Sequence, residues 1–280
     1  MTSSLTYTDA LTLAARGHAL KAVDARLLLQ HVTGANAAQI IAHPGRQLGP
    51  VERLRYESLV TRRAGGEPVA YLVGHREFYS RSFSVGPAVL IPRPETEGLI
   101  DAALARLPVE GVPEIVDLGT GSGCIGISLA LEHPNARVLA VDASIDALEM
   151  ARANARALDC RNIDFVIGDW LAGIDAHRLA MIVANPPYIA DGDWHLDQGD
   201  LRFEPKQALS PGGDGLAALR TIIAQAPAAL ADNGWLIMEH GFDQAPAVRA
   251  LMTSQGFIDL FTERDLAGHE RTTGGRLAAR

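Results

Sequence analysis

Residues 115–123 read IVDLGTGSG, and this stretch decides the fold. An apolar run that breaks at a glycine-rich turn, with a second apolar segment behind it, is a strand feeding a helix. Working outward, strands are expected at 114–118, 137–141, 163–167, 179–184 and 235–239. Helices are expected at 124–133, 144–158, 215–230 and 243–255, and two strand-like runs follow from Phe257. Strands alternating with helices predict a mostly parallel, doubly wound α/β sheet. Such a sheet takes ligands beyond the carboxyl ends of its strands, where the strand order reverses. Glycines placed there let the backbone touch a ligand, because any Cβ would collide with it.

Upstream the periodicity is helical. Thr8-Asp9 reads as an N-cap signal, and Asp24 precedes the apolar set Leu27, Leu28 and Val32, which ends at Gly34. Residues 37–42 form a short apolar stretch stopped by His43-Pro44-Gly45, and 51–63 carry Leu54, Leu59 and Val60 on one side. This predicts a bundle of four short helices over residues 1–75. From 76 to 94, Phe78, Phe83, Val85 and Val89-Leu90-Ile91 are β-prone and punctuated by Gly86-Pro87, so a β-hairpin linker is expected. A helix over 95–107, with Pro94 at its start, then opens a domain running from 95 to 280.

The chain has 280 residues, 48% hydrophobic and 21% charged, with a net charge of −8. That composition is globular, and the length can bury a large core. Its two cysteines, Cys124 and Cys160, form no C-x-x-C pair, so a reducing compartment with buried thiols is expected. The first ten residues, MTSSLTYTDA, carry no basic start or apolar core of a leader, and no run suits a membrane helix. A cytoplasmic, monomeric protein is expected. The acidic balance opposes an extended nucleic-acid surface, although Arg62-Arg63 is locally basic. No metal-ligand spacing, P-loop or G-x-S-x-G elbow is present, and His240 reads as structural.

Residues 121–126 also satisfy G-x-G-x-x-G, a weak signal for a dinucleotide when it stands alone. Strand-end acids add to it. Asp142 ends RVLAVD, where a carboxylate can accept from both ribose hydroxyls, and Asp169-Trp170 ends FVIGDW, where an adenine amino group and ring can be met. With Asp117 these make three acids on one edge. The run Asp117-Leu118-Gly119-Thr120-Gly121-Ser122-Gly123 resembles the first motif of the Rossmann-like S-adenosylmethionine-dependent methyltransferases. The physics agrees: a cationic sulfonium tolerates nearby acids, whereas the pyrophosphate of NAD prefers a bare helix N-terminus.

Residues 181–190 read MIVANPPYIA, so Asn185-Pro186-Pro187-Tyr188 ends the fourth strand on that same edge. Methylating a planar nitrogen requires two acceptors on its N–H groups to orient it and localise its lone pair. The Asn185 side-chain oxygen and the Pro186 carbonyl, whose direction Pro187 restricts, supply such a pair. Tyr188 can pack its ring on a flat substrate group. Positioning and aimed acceptors suffice, without a covalent enzyme intermediate. The four residues leave adenine N6, guanine N2 and a glutamine amide open.

Longer segments choose among these. Residues 68–74 (PVAYLVG), 90–97 (LIPRPETE), Arg202-Phe203-Glu204-Pro205 and Gly213-Asp214-Gly215-Leu216 stand in the order of the HemK family. The chain resembles these protein-(glutamine-N5) methyltransferases over nearly its whole length. The resemblance implies S-adenosylmethionine as methyl donor, with S-adenosylhomocysteine as product. Its implied substrate is the glutamine of the Gly-Gly-Gln loop in bacterial class 1 peptide chain release factors. It implies that Asn185, Pro186, Pro187 and Tyr188 hold the substrate amide. Contacts to the cofactor are implied for Asp117, Gly119, Thr120, Gly121, Ser122, Gly123, Asp142, Asp169, Trp170 and Asn185. The helical N-terminal domain is implied to dock the release factor; for Arg93, Glu95 and Arg202 a role in the family's chemistry and a structural ion pair both stay open. A DNA adenine-N6 or ribosomal RNA guanine-N2 methyltransferase with the same turn is the alternative. An NAD-linked oxidoreductase and a non-catalytic cofactor-binding module are the other classes.

Overall fold

The computed structural model describes residues 5–108, 110–174 and 177–279. Residues 1–4, the start of the stretch read for a leader, and the terminal residue 280 lie outside them. The chain forms two compact units. One holds the residues up to His75 together with Gln198–Phe203, and the other holds Arg76–Asp197 and the residues from Glu204 onward.

The first unit is helical: α1 (Tyr7–Thr12), α2 (Ala22–Thr33), α3 (Ala37–Ala42), α4 (Pro50–Ala64) and α5 (Val69–Val73). That is one helix more than the periodicity predicts, because Val69–Val73 turns helical behind Pro68. The start of α1 is also shifted. Thr6 is its N-cap, and Asp9 closes a reciprocal capping box. Asp24 caps nothing; it receives Arg63 at 2.8 Å. The buried stripe of α4 is Tyr56 and Val60, while Leu54 is 68% exposed. Tyr56 is fully buried, and its hydroxyl can donate to the carbonyl of Ala10 or Ala25, which ties three helices together. The basic pair is neutralised: Arg62 binds Glu67, and Arg63 binds Asp24 and Asp200.

The second unit opens with a hairpin, β1 (His75–Phe78) and β2 (Arg81–Ser84). Its two turn residues, Tyr79 and Ser80, both have positive φ, as a tight hairpin matched to strand twist requires. The expected strand at Val89-Leu90-Ile91 is a loop. Gly86-Pro87 breaks the ladder, and the Ile91 N–H goes to the Glu204 carboxylate at 3.0 Å. The helix expected over 95–107 is a 3₁₀ turn (Pro94–Thr96) followed by α6 (Glu97–Leu104).

A seven-stranded sheet follows, built from β3 (Glu114–Leu118), β4 (Arg137–Asp142), β5 (Ile163–Ile167), β6 (Leu179–Ala184), β7 (Leu230–Glu239), β8 (Phe257–Arg264) and β9 (Glu270–Leu277). Their spatial order is β5-β4-β3-β6-β7-β9-β8, with β9 antiparallel to both its neighbours and the rest parallel. This is the doubly wound α/β architecture expected, and the order reverses between β3 and β6. The helices are α7 (Cys124–Glu132), α8 (Ile145–Ala157), α9 (Lys206–Leu209), α10 (Ala217–Ala229) and α11 (Ala245–Ser254). The short α9 and two 3₁₀ turns, Trp194–Asp197 and Gly199–Phe203, have no clear periodicity in the sequence.

Strand side chains alternate between two cores. Ile115, Val138, Met181, Val183 and Ile237 face α6, α7 and α8. Val116, Leu118, Ile182, Ala184, Leu236 and Met238 face α10 and α11. Parity places Asp117 on the α7 face with Ile115. There it meets Gly126, where a Cβ would stand 2.9 Å from Asp117 Oδ2 and 3.2 Å from Ile163 Cδ1. No helix among the described residues is long and apolar enough to cross a membrane. Gly126→Ala should therefore lower the unfolding free energy by about 1–3 kcal/mol in urea titrations. An open helix would instead gain about 1 kcal/mol from the same change, so an unchanged or raised midpoint would refute this packing.

Candidate active site

Four parallel strands, β5, β4, β3 and β6, end at the edge of one cavity. Its walls are Ala88, Val89, Leu90, Pro92, Arg93 and Thr96 on one side and Pro205, Gln207 and Ala208 on another. Its floor is the turn after β3 together with Asp142, Asp169, Trp170, Asn185 and Pro187.

The turn is shaped by its glycines and held by backbone bonds. Gly119 and Gly121 have φ of +67° and +55°, which lets the chain reverse without a Cβ penalty. The N–H groups of Gly119 and Thr120 both donate to the Val141 carbonyl, at 2.9 and 3.0 Å. Asp142 accepts from the Gly121 N–H with one oxygen and from the Ser144 N–H with the other, each at 2.9 Å. Each carboxylate oxygen keeps a further lone pair for a hydroxyl donor. Asp169 is exposed at the rim. Trp170, itself at φ +50°, lays its ring against Gly119, where a Cβ would be 3.5 Å from Cζ3.

Two residues of the expected cofactor set stand behind the cavity rather than in it. Asp117 is fully buried and does not line the wall. Its Oδ2 accepts from the Thr120 hydroxyl at 2.6 Å and the Gly126 N–H at 2.9 Å, and its Oδ1 has no hydrogen-bond partner among the described residues. Gly123 starts α7, and a Cβ there would meet Ile127 Cδ1 at 2.7 Å and Ala151 at 3.1 Å. Both shape the turn from below. The thiol of Cys124 is at the wall, where burial pushes it up to about 12 and leaves it un-ionised.

Asn185 follows β6 directly. Its Nδ2 donates to the Thr96 hydroxyl at 3.2 Å, so Oδ1 is the end of the amide left to accept. The Pro186 ring is buried, and among the described residues no donor reaches its carbonyl. Tyr188 does not line the cavity. Its ring joins the core on the α10 face, its hydroxyl donates to Glu239 Oε1 at 3.2 Å, and its carbonyl accepts from Gln244 at 3.0 Å. Gly215 backs this turn so closely that a Cβ would collide with the Tyr188 carbonyl. Ile189 and Asp191 run alongside 209–213, with bonds to the Leu209 and Gly213 carbonyls. Arg93 pairs with the buried Glu204 at 2.5 Å, which ties two cavity walls together. His240 is buried and gives Nδ1–H to the Gly241 carbonyl while accepting from Thr273, and burial lowers its pKa.

Thr96 and Glu239 complete the site, and neither stands out by periodicity. Their signals are indirect: Thr96 lies in the LIPRPETE segment, and Glu239 is an acid closing the apolar run WLIME. Parallel pairing of Ala184 with Met238 then brings Glu239 level with Asn185.

Residues 10–74 match the PrmC N-terminal domain family, and 101–253 match the methyltransferase small domain family. A release factor glutamine methyltransferase of Burkholderia pseudomallei is 49% identical over 268 residues, 94% of each chain. The chain belongs to the release factor glutamine methyltransferase family. Another relative of that name, from Escherichia coli K12, is 46% identical over 253 residues, 90% of this chain and 91% of the relative. A solved methyltransferase from Pyrococcus furiosus shares the fold at a TM-score of 0.53 and 14% identity, covering 72% of this chain and 91% of its own.

Burial pushes the Asp117 carboxyl up to about 6, against the pull of Thr120 and Gly126, and nearby Asp142 adds to the rise. A folded-state value above the ordinary 3.8 means the folded protein holds this proton more tightly than the unfolded chain. The stability it confers is complete below that ordinary value and is lost as pH rises through about 6. Asp117→Asn removes this titration. In urea unfolding, the wild type should lose about 2 kcal/mol relative to the variant between about pH 4 and about pH 8. A difference independent of pH would contradict the buried, uncompensated carboxylate.

Proposed function

We propose that this family member transfers a methyl group from S-adenosylmethionine to the side-chain amide nitrogen of glutamine in the Gly-Gly-Gln loop of class 1 release factors. The observation that carries this reading is Asn185: it ends β6 at the cavity edge with its amide nitrogen tied to Thr96 and its oxygen free. When bound, S-adenosylmethionine would supply a sulfonium methyl carbon for attack by the amide nitrogen, the S–CH₃ bond breaking as the N–CH₃ bond forms, with S-adenosylhomocysteine and one proton as the other products.

The cavity suits that cofactor. Asp142 retains acceptor capacity for ribose hydroxyls, and Gly119, Thr120, Gly121 and Ser122 present backbone without bulk. Asp169 and Trp170 offer an acceptor and a ring at the adenine end. The walls from Ala88 to Pro92 are largely apolar and exclude water, which strengthens every polar contact inside. Asp117 and Gly123 serve by fixing the turn.

Asn185 Oδ1 and the Pro186 carbonyl accept from the two N–H bonds of the substrate amide. That orients the nitrogen lone pair and stabilises the positive charge that grows on nitrogen during transfer. Pro187 stiffens the carbonyl, and Tyr188 pins the turn through Glu239 and Gln244. No enzyme base is required, because an N-alkylated amide sheds its proton readily to water. The helical unit presents exposed apolar side chains, Val23 and Leu27 on α2 and Val51 and Leu54 on α4, which suit it to docking the release factor. A cytoplasmic monomer meets this role.

A nucleic-acid amino methyltransferase would use the same acceptor pair. The net charge of −8 and the neutralised Arg62-Arg63 pair favour the protein substrate. With S-adenosylmethionine and a release factor, mass spectrometry of the Gly-Gly-Gln tryptic peptide should find one added methyl. Asn185→Ala should reduce that transfer by about 100-fold or more while keeping the melting temperature. Methylation of a factor whose loop glutamine is replaced by alanine would refute the substrate assignment. Salt-sensitive transfer to DNA or ribosomal RNA would favour the nucleic-acid reading.

A further inference from the structure

We propose that Arg93 anchors the amino-acid arm of S-adenosylmethionine, its guanidinium taking the α-carboxylate of that arm. The proposal rests on the reading above, which puts this cofactor in the cavity, and adds one contact to it.

The cavity runs along the ends of β5, β4, β3 and β6, with Asp169 and Trp170 after β5, Asp142 after β4 and Asn185 after β6. Adenine at Trp170 and ribose at Asp142 leave the β3 and β6 side for the sulfur and the amino-acid arm. The methyl must also be there, to reach a substrate amide held by Asn185. Arg93 stands on that side. It is the N-cap of the 3₁₀ turn Pro94–Thr96, and the Thr96 N–H returns to its carbonyl at 3.1 Å. The Thr96 hydroxyl in turn receives Asn185 Nδ2 at 3.2 Å.

A carboxylate arriving there meets few donors. The glycine turn has already given away the N–H groups of Gly119 and Thr120 to Val141, of Gly121 to Asp142 and of Gly123 to the Thr120 carbonyl. Asp142 and Asp169 are acids and repel it. Among the described residues lining the cavity, Arg93 is the one cationic side chain. Its Nη2 donates to Glu204 Oε1 at 2.5 Å, and no other hydrogen bond of this side chain is formed among the described residues. The side chain keeps 30% of its surface open. The remaining N–H groups form a rigid fork of the shape a carboxylate accepts.

Glu204 prepares this fork. It is buried, and its Oε2 accepts the Ile91 N–H at 3.0 Å, so Arg93 is held on a fixed wall before any ligand arrives. Pairing with Glu204 also offsets the guanidinium charge, which alone would oppose a sulfonium in the same cavity.

Calorimetry on the full-length protein tests this without turnover. The ligands are S-adenosylhomocysteine and its decarboxylated analogue, which keeps the adenosine, the sulfur and the amine. The wild type should bind S-adenosylhomocysteine about 10- to 100-fold more tightly than the analogue. Arg93→Gln should remove most of that preference by weakening S-adenosylhomocysteine, with the analogue bound as before. Arg93→Lys, which keeps the charge without the fork, should recover part of it. Equal affinity of the wild type for the two ligands would overturn the proposal. So would equal losses on both ligands in Arg93→Gln, the result expected of a collapsed wall. Unchanged S-adenosylhomocysteine binding in Arg93→Gln with a raised KM for the release factor would also overturn it, and would assign Arg93 to the protein substrate. The parent reading is judged separately: it fails if the wild type leaves the release-factor glutamine unmodified. If the wild type methylates that glutamine while Arg93→Gln keeps the preference for S-adenosylhomocysteine, only the carboxylate contact fails.

Discussion

Asp117, a carboxylate with two hydrogen bonds and no counter-charge among the described residues, sits where this sheet reverses its strand order. Strand parity turns it into the layer between β3 and α7, away from water. From there it takes the Thr120 hydroxyl and the Gly126 N–H, one from the glycine turn and one from the helix behind it. Strand, turn and helix are thereby fixed to a single side chain. Burial of that charge is unfavourable in itself, and the sheet tolerates it because the surrounding packing is extensive. Everything in the cavity stands on the resulting turn: the path of Gly119 to Ser122, the reach of Asp142 to Gly121, and the seat of the Trp170 ring.

A second buried carboxylate, Glu239, occupies the matching place under the other half of the cavity. It anchors Tyr188 directly and stands level with Asn185, whose amide nitrogen is held by Thr96. The floor of the cavity is therefore supported by two acids that do not line it. Such supporting groups cost stability and fix the donors that reach them. The family segments that flank the Asn-Pro-Pro-Tyr turn act in the same sense. Gly215 and 209–213 back the turn, and Glu204 ties the wall at Ile91 and Arg93 to the wall at Pro205.

Most of the sheet was legible because its strands are short apolar runs bounded by turns. Ile163–Ile167, an exposed edge strand, and Leu179–Ala184, a buried central one, both begin and end where the sequence predicts. Legibility fails where local propensity and tertiary partners disagree. Val89 to Ile91 has β-prone residues but forms no strand; Val89 and Leu90 line the cavity, and the Ile91 N–H is held by Glu204 behind them. Leu54 has the periodicity of a core residue and lies exposed, because Tyr56 fills the centre of the helical unit instead. In the site, the glycine turn, Asp142, Asp169, Trp170 and Asn185 line one cavity as the spacing suggests. Tyr188 and Asp117 carry the right chemistry, yet each is turned inward.

The sequence by itself determined the α/β class, the glycine turn, the acids at the strand ends and the family of the chain, because these depend on residue type and order along short segments. Only the tertiary structure decided which polar side chains face the cavity and which support it. That choice follows from strand parity, which sends Asp117 and Glu239 into the core, and from the parallel register of β6 with β7, which sets Glu239 level with Asn185. Parity and register are properties of paired strands, and residues fifty or more apart in the chain acquire them only when the sheet forms.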